Sequence, residues 1–215
     1  MRLILASASP ARLAVLRAAG VEPIVRVSGV DEDAVAAALP ADADDATVVE
    51  ALARAKALSI AEAIGSDPDL PSTAVVIGCD SMLAIGGALV SKPVDAAAAH
   101  AQWRSMSGNS GRLLTGHAVV VVVDAAVTAE AVDHSSTVVH FGSPTARELD
   151  AYIASGEPLA VAGSFTLDGR SGWFIDGIDG DPSSVIGIGL PLVRRLLAAV
   201  GVDIAALWAA NPTGD

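Results

Sequence analysis

Leu3-Ile4-Leu5-Ala6-Ser7-Ala8-Ser9-Pro10-Ala11-Arg12, running on to Gly20, decides how this chain folds. The apolar run Leu3 to Ala6 reads as a buried strand. Ser9 is a good helix N-cap, Pro10 suits the first helical position, Leu13 and Leu16 share a face, and Gly20 suits the residue just past the helix end. A strand–loop–helix junction of this kind presents free backbone N–H groups at the positive end of a helix dipole. Ser7, Ser9 and Arg12 add two hydroxyls and a guanidinium, which makes a phosphate cradle without the glycines of a P-loop. The competing reading of the same residues is an ordinary β–α turn with a sound cap.

Working outward, the 215 residues suit one compact α/β domain spanning 1–215, or two lobes sharing a sheet. With 52% hydrophobic and only 3% aromatic residues, the core is built from Ala, Val, Leu and Ile. A formal net charge of −12 argues against a general nucleic-acid or anionic-membrane binder, yet leaves room for a small polyanion met by local cations. Cys79 is the single cysteine, so no intrachain disulfide forms. Ser7, Ser9 and Arg12 interrupt the first apolar run, which therefore does not read as a signal peptide. No apolar stretch approaches the roughly 20 residues of a membrane span, and a soluble cytoplasmic protein is the expectation. Of thirteen basic residues only Lys56 and Lys92 are lysines, a bias that draws attention to both as compact, mobile ammonium groups.

Further along, Ile24 to Val27 suits a second strand, and the acidic stretch Ser28 to Ala46 a loop carrying a short helix over Ala34 to Leu39. Thr47 to Ile64 has helical spacing. Ala74 to Cys79 is a continuous apolar run that reads as a central strand ending at Asp80, followed by a hairpin, Met82 to Ile85 and Ala88 to Val90, around Gly86-Gly87. Helices are expected over Val94 to Met106 after Pro93, over Pro144 to Ala154 with Ser143 as cap, and over Leu190 to Val200. Leu113 to Val123 and Ser136 to Phe141 suit strands, and Ala160 to Ile178 an irregular Gly-rich segment. The mixture predicts a mixed central β-sheet flanked by helices.

Asp80 is the sharpest chemical candidate. A carboxylate just past an apolar strand is partly desolvated, and needs a metal, a cation or a proton-transfer task. Its bland alternative is a turn cap. Glu32, within Val30-Asp31-Glu32-Asp33, is either part of a solvated acidic loop or a partner that meets Asp80 across a magnesium ion. Lys56 and Lys92 are either surface and turn lysines or two cations converging on a polyphosphate. His100, His117, His134 and His140 show no metal-ligand spacing and read as structural or exposed. Cys79 reads as a buried thiol rather than a nucleophile, and Gly177 to Pro182 as a structural turn shaped by Gly and Pro in preference to an acidic cation loop.

Taken in order, Leu5 to Arg12, Val30-Asp31-Glu32, Ala53 to Ala57, Ile77-Gly78-Cys79-Asp80-Ser81 and Ser91-Lys92-Pro93 resemble the Maf family of nucleoside triphosphate pyrophosphatases, its actinobacterial branch above all. Thr115-Gly116, Ala162 to Phe165, Asp179-Gly180-Asp181 and Gly189-Leu190-Pro191 extend the resemblance over nearly the whole chain. The resemblance implies a Maf/inosine-triphosphatase-like α/β fold with two lobes around one deep cleft, often dimeric, hydrolysing a nucleoside triphosphate to the monophosphate and pyrophosphate with Mg2+ or Mn2+. It gives Asp80 the role of proton acceptor, Glu32 and Asp80 the metal, and Ser7, Ser9, Arg12, Lys56, Ser81 and Lys92 the substrate. Ala11, Ser81 and Asp168 match neither the pyrimidine-preferring pattern nor that of the branch favouring methylated guanosine triphosphate, so the base is left open. Ser91 replaces the usual glycine before Lys92. Two rival readings are a nucleotide-binding regulator of septum formation without catalysis, and a nucleotidyltransferase with a similar cleft.

Overall fold

The structure, a computed structural model, describes residues 1–214. The chain divides into two compact units, one comprising Met1–Asp80, Thr115–Ser135 and Gly187–Asp215, the other Ser81–Leu114 and Ser136–Ile186. Three long strands contribute to both: β3 (Ala74–Ile85), β5 (Ser110–Val123) and β6 (Ala126–Phe141). With β1 (Arg2–Leu5), β2 (Ile24–Val25), β4 (Ala88–Val90) and β7 (Ile175–Asp179), hydrogen-bonded neighbours follow the order β2-β1-β3-β5-β6-β7, and β4 pairs with β3. The β2-β1 and β1-β3 pairs are parallel, whereas β3-β4 and β6-β7 are antiparallel, so the sheet is mixed as expected.

In the first unit, α1 (Pro10–Ala18) leaves β1 through a Ser9 cap, with Pro10 at its start and Gly20 beyond its end at φ +82°. α2 (Glu32–Ala37) is capped by Asp31, and α3 (Asp45–Ala63) by Asp44. α7 (Leu190–Ala199) and α8 (Ile204–Ala210) complete the unit. Its core joins Ile4, Val76, Val120 and Val122 of the sheet to Ala53, Ala57, Ile60 and Ile64 at the α3 side. The helix lies unusually close to the strands. A Cβ added at Gly78 would meet the Ala53 carbonyl and come within 2.8 Å of the Ala57 nitrogen, and one at Gly116 would meet the Val49 carbonyl. Glycine in the strands and alanine in the helix together permit this approach.

The second unit holds β4, α4 (Ala96–Met106), α5 (Ala146–Ala154), β7 and α6 (Pro182–Ile186), with three short 3-10 turns between Glu157 and Phe174. Trp103 is fully buried and packs edge-on against Phe141, Tyr152 and Phe174. Its indole N–H and the Tyr152 hydroxyl both donate to the Ser164 carbonyl. Among the described residues no helix is long and apolar enough to cross a membrane.

Several elements depart from the sequence expectation. Asp80 lies inside β3, which runs unbroken from Ala74 to Ile85, because the one charged residue in that run meets a cation and needs no strand end. β6 starts ten residues earlier than expected. It forms a hairpin with β5 through Asp124 and Ala125, both at positive φ (50° and 61°), a conformation usually signalled by Asn-Gly or Asp-Gly. Helix caps outcompeted prolines twice: Asp95 caps α4 in place of Pro93 as its start, and Thr145 with Glu148 forms a capping box for α5 in place of Ser143. The short helix expected at Ala34 begins instead at Glu32 behind Asp31. α6, α8 and β7 carry too few periodic residues to be read from the sequence.

Candidate functional site

The β1–α1 junction is held by its own side chains. Ser9 Oγ accepts from the Arg12 backbone N–H at 3.4 Å, and Ser7 Oγ accepts from the Ser9 N–H at 3.2 Å. Arg12 is fixed on two sides of its guanidinium: Nη1 donates to Ser7 Oγ (3.1 Å) and to the Cys79 carbonyl (2.8 Å), while Nε donates to the Gly187 carbonyl (2.9 Å). Gly187 has φ +140°, and a Cβ there would sit 3.1 Å from Arg12 Cγ, so glycine provides both the turn and the room for the arginine. The helix start, two hydroxyls and one cation thus converge beside the strand residue that precedes Asp80.

Asp80 is 6% exposed and Lys56 is 9% exposed. The backbone-level approach of α3 to Gly78 brings the Lys56 ammonium within 2.6 Å of Asp80 Oδ1. The same ammonium lies 2.7 Å from Oε1 of Glu32, which α2 presents from its first turn. Lys56 therefore bridges a buried carboxylate and a half-exposed one. Asp80 Oδ2 is buried and has no hydrogen-bond partner among the described residues. Burial pushes the Asp80 carboxyl above its ordinary range, against the pull of the Lys56 and Arg12 charges, and the Glu32 charge adds to the rise. A desolvated carboxylate with one oxygen anchored and the other vacant is suited to accept a proton or to bind a hard cation. Two carboxylates, Asp80 and Glu32, are the donor type that Mg2+ or Mn2+ takes, and the unpaired Oδ2 fits such a ligand.

Six of the expected site residues, Ser7, Ser9, Arg12, Glu32, Lys56 and Asp80, are thus gathered in the first unit. Strand alternation turns Ser81 to the opposite face of β3 from Asp80. Lys92 is exposed in the second unit, after β4, where the preceding Ser91 carbonyl accepts from Gln102 Nε2 and the Gly163 N–H. Cys79 is buried and its thiol is pushed up to about 11 chiefly by burial, as befits an inert core residue.

Two features escaped the sequence. His134 is not alone: its Nδ1 lies 2.7 Å from Glu50 Oε1 and 3.8 Å from Asp133 Oδ1, grouping three metal-ligating side chain types that are separated by 83 to 84 positions or adjacent in the chain. That group is partly exposed and its imidazole is already paired to a carboxylate. His117 is fully buried in β5, and its Nε2 accepts from the Gly189 N–H at 2.8 Å. A lone titratable residue inside the apolar run Leu113 to Val123 was the available signal.

A parallel strand–turn–helix junction carrying hydroxyls and a guanidinium, set beside a buried lysine–carboxylate pair, defines an α/β protein with helix-start N–H groups, hydroxyls and cations gathered next to one desolvated carboxylate. Residues 2–200 match the family described as Maf-like protein, and the chain belongs to that family. It is 62% identical over 212 residues to a protein of Rhodococcus opacus named nucleoside triphosphate pyrophosphatase, covering 99% of this chain and 98% of that one. A Rhodococcus jostii protein of the same name is 63% identical over 99% of this chain and 98% of its own. A solved nucleoside-triphosphatase / dITP/XTP pyrophosphatase from Mycobacterium abscessus is also similar, at 18% identity and a TM-score of 0.34, covering 74% of this chain and 96% of that one.

Proposed function

We propose that this protein hydrolyses nucleoside triphosphates to the monophosphate and pyrophosphate, by attack of water on the α-phosphorus. The observation that carries the reading is Asp80: buried, anchored by Lys56 through one oxygen, and left with the other unpaired. The names of the close relatives support the same activity.

Asp80 accepts the proton of the attacking water, for which its raised affinity for a proton suits it. Lys56 and Arg12 neutralise charge on the phosphates. The N–H groups and hydroxyls at the start of α1 orient one phosphate through Ser7 and Ser9. Glu32 and Asp80 Oδ2 would hold a divalent cation, which when bound supplies further neutralisation of the polyphosphate. For Lys92 a phosphate-binding role rests on the family resemblance alone.

The deciding assay is release of pyrophosphate across a panel of common and modified triphosphates, with and without magnesium or manganese. Asp80→Asn keeps the size but loses the base, and turnover is expected to fall at least ~10²-fold. Near-wild-type turnover in D80N would remove Asp80 from this role. Tight triphosphate binding without pyrophosphate release in the native protein would instead indicate a non-catalytic nucleotide-binding regulator.

A further inference from the structure

We propose that His117 is a positioning residue for Arg12, acting through the turn Gly187–Gly189; the inference rests on the phosphate-binding role proposed for Arg12. His117 lies on β5 and is 0% exposed. Burial, reinforced by the nearby Arg12 charge, pushes its imidazole down to about 4, so the ring is neutral near neutral pH. A neutral imidazole has one donor and one acceptor nitrogen. Nε2 lies 2.8 Å from the Gly189 nitrogen, whose N–H can only donate, so Nε2 is the acceptor and the proton sits on Nδ1. Nδ1 is buried too and has no hydrogen-bond partner among the described residues, and the Thr115 backbone favours the protonated ring against the pull of burial. An aliphatic side chain would fill this apolar site without burying two polar nitrogens. What the imidazole adds is the bond to Gly189.

That bond fixes one end of a short turn whose other end Arg12 holds. Gly189 caps α7 with no side-chain cap of its own. Ile188 is fully buried. Gly187, at a φ of +140° that disfavours other residues, turns its carbonyl to Arg12 Nε at 2.9 Å. Arg12 then reaches Ser7 Oγ and the Cys79 carbonyl with Nη1. The route from His117 to the guanidinium is therefore three residues of constrained backbone and two hydrogen bonds, all within the first unit. Loss of the Gly189 anchor frees the Gly187 carbonyl, and Arg12 loses one of its fixed acceptors.

Glutamine and asparagine at position 117 separate anchoring from bulk. Gln carries an acceptor at about the reach of Nε2, and Asn one at about the reach of Nδ1. H117N is expected to raise KM for a triphosphate substrate by about tenfold, the ratio of one ordinary buried hydrogen bond, with kcat changed by less than about threefold. H117Q is expected to stay within about threefold of wild type in both constants. In an R12A background the H117N penalty is expected to vanish. Equal behaviour of H117N and H117Q, or a penalty that persists in full without Arg12, overturns the inference. A wild-type KM in R12A removes the phosphate role of Arg12 and this inference with it, while the D80N result judges the proposed hydrolysis separately. In 15N-labelled wild-type protein the His117 ring is expected to show a protonated Nδ1 and an unprotonated Nε2. The opposite tautomer overturns the inference whether or not the variants fold.

Discussion

Replacing Lys56 by Met tests whether the centre of the site is a desolvated ion pair. Lys56 Nζ is 2.6 Å from Asp80 Oδ1, and both residues are less than a tenth exposed. Deleting one partner of such a pair strands the other charge, at a cost of about 3–5 kcal/mol. The second contact of Lys56, to the half-exposed Glu32, adds little, since exposed pairs are worth at most about 1 kcal/mol. For a chain of this size the loss corresponds to a fall in melting temperature of roughly 6–20 °C. The sign of the pH dependence follows from the direction of the Asp80 shift. Its carboxyl titrates higher in the folded protein than the 3.8 of an unperturbed group. Between those two values the folded state holds more protons, so stability falls as pH rises through the window and is regained as pH falls. Lys56 is among the groups that lower the carboxyl, so its loss lifts the folded value and widens the window upward. K56M should therefore cost more at high pH and progressively less as pH falls, measured by urea and thermal unfolding with chelator present. The double variant K56M/D80L, which removes both charges, should recover most of the loss. A K56M cost below about 1 kcal/mol at high pH, or one that does not change with pH, would show that Asp80 is solvated and would refute the reasoning.

Gly78→Ala pushes a methyl against the Ala53 carbonyl and to 2.8 Å from the Ala57 nitrogen; we expect a loss of at least about 1–3 kcal/mol by denaturant unfolding, with triphosphate hydrolysis reduced as Lys56 is displaced. A G78A protein as stable as wild type would mean that α3 is not held at backbone contact. Glu32→Gln is expected to leave stability within about 0.5 kcal/mol, because Glu32 is half exposed, while raising the magnesium or manganese concentration needed for half-maximal activity. An unchanged metal requirement in E32Q excludes Glu32 as a ligand.

The first twenty residues announced their structure because every signal there is local. The apolar run, the Ser9 cap, Pro10 and Gly20 each state a backbone preference that nothing later in the chain overrides. The acid–lysine pairing was legible only as a set of residue types. That Lys56 meets Asp80 depends on α3 crossing β3 at Gly78, a contact between positions 21 to 25 residues apart that no periodicity encodes. The same limit hid the role of His117, whose partner Gly189 is 72 positions away. It also misplaced Asp80 at a strand end, since a charge inside an apolar run reads as a terminus unless its counter-charge is already known.

Placing Asp80 within a strand changes what the site requires. At a strand end water solvates a carboxylate cheaply, and its position is set by a loop. In mid-strand the backbone is fixed by the ladder on both sides, so the side chain has little freedom, but it must meet a cation or lose its charge. The chain supplies that cation from a helix close enough to touch strand backbone, which needs glycine at 78 and small residues at 53 and 57. Lys56 reaches only Oδ1, and Oδ2 stays unpaired and buried. A carboxylate kept only for stability would gain from a second donor at that oxygen. An unpaired Oδ2 suits the proton or cation of the proposed reaction, so the arrangement that is expected to make K56M destabilising is also the one that the proposed role of Asp80 needs.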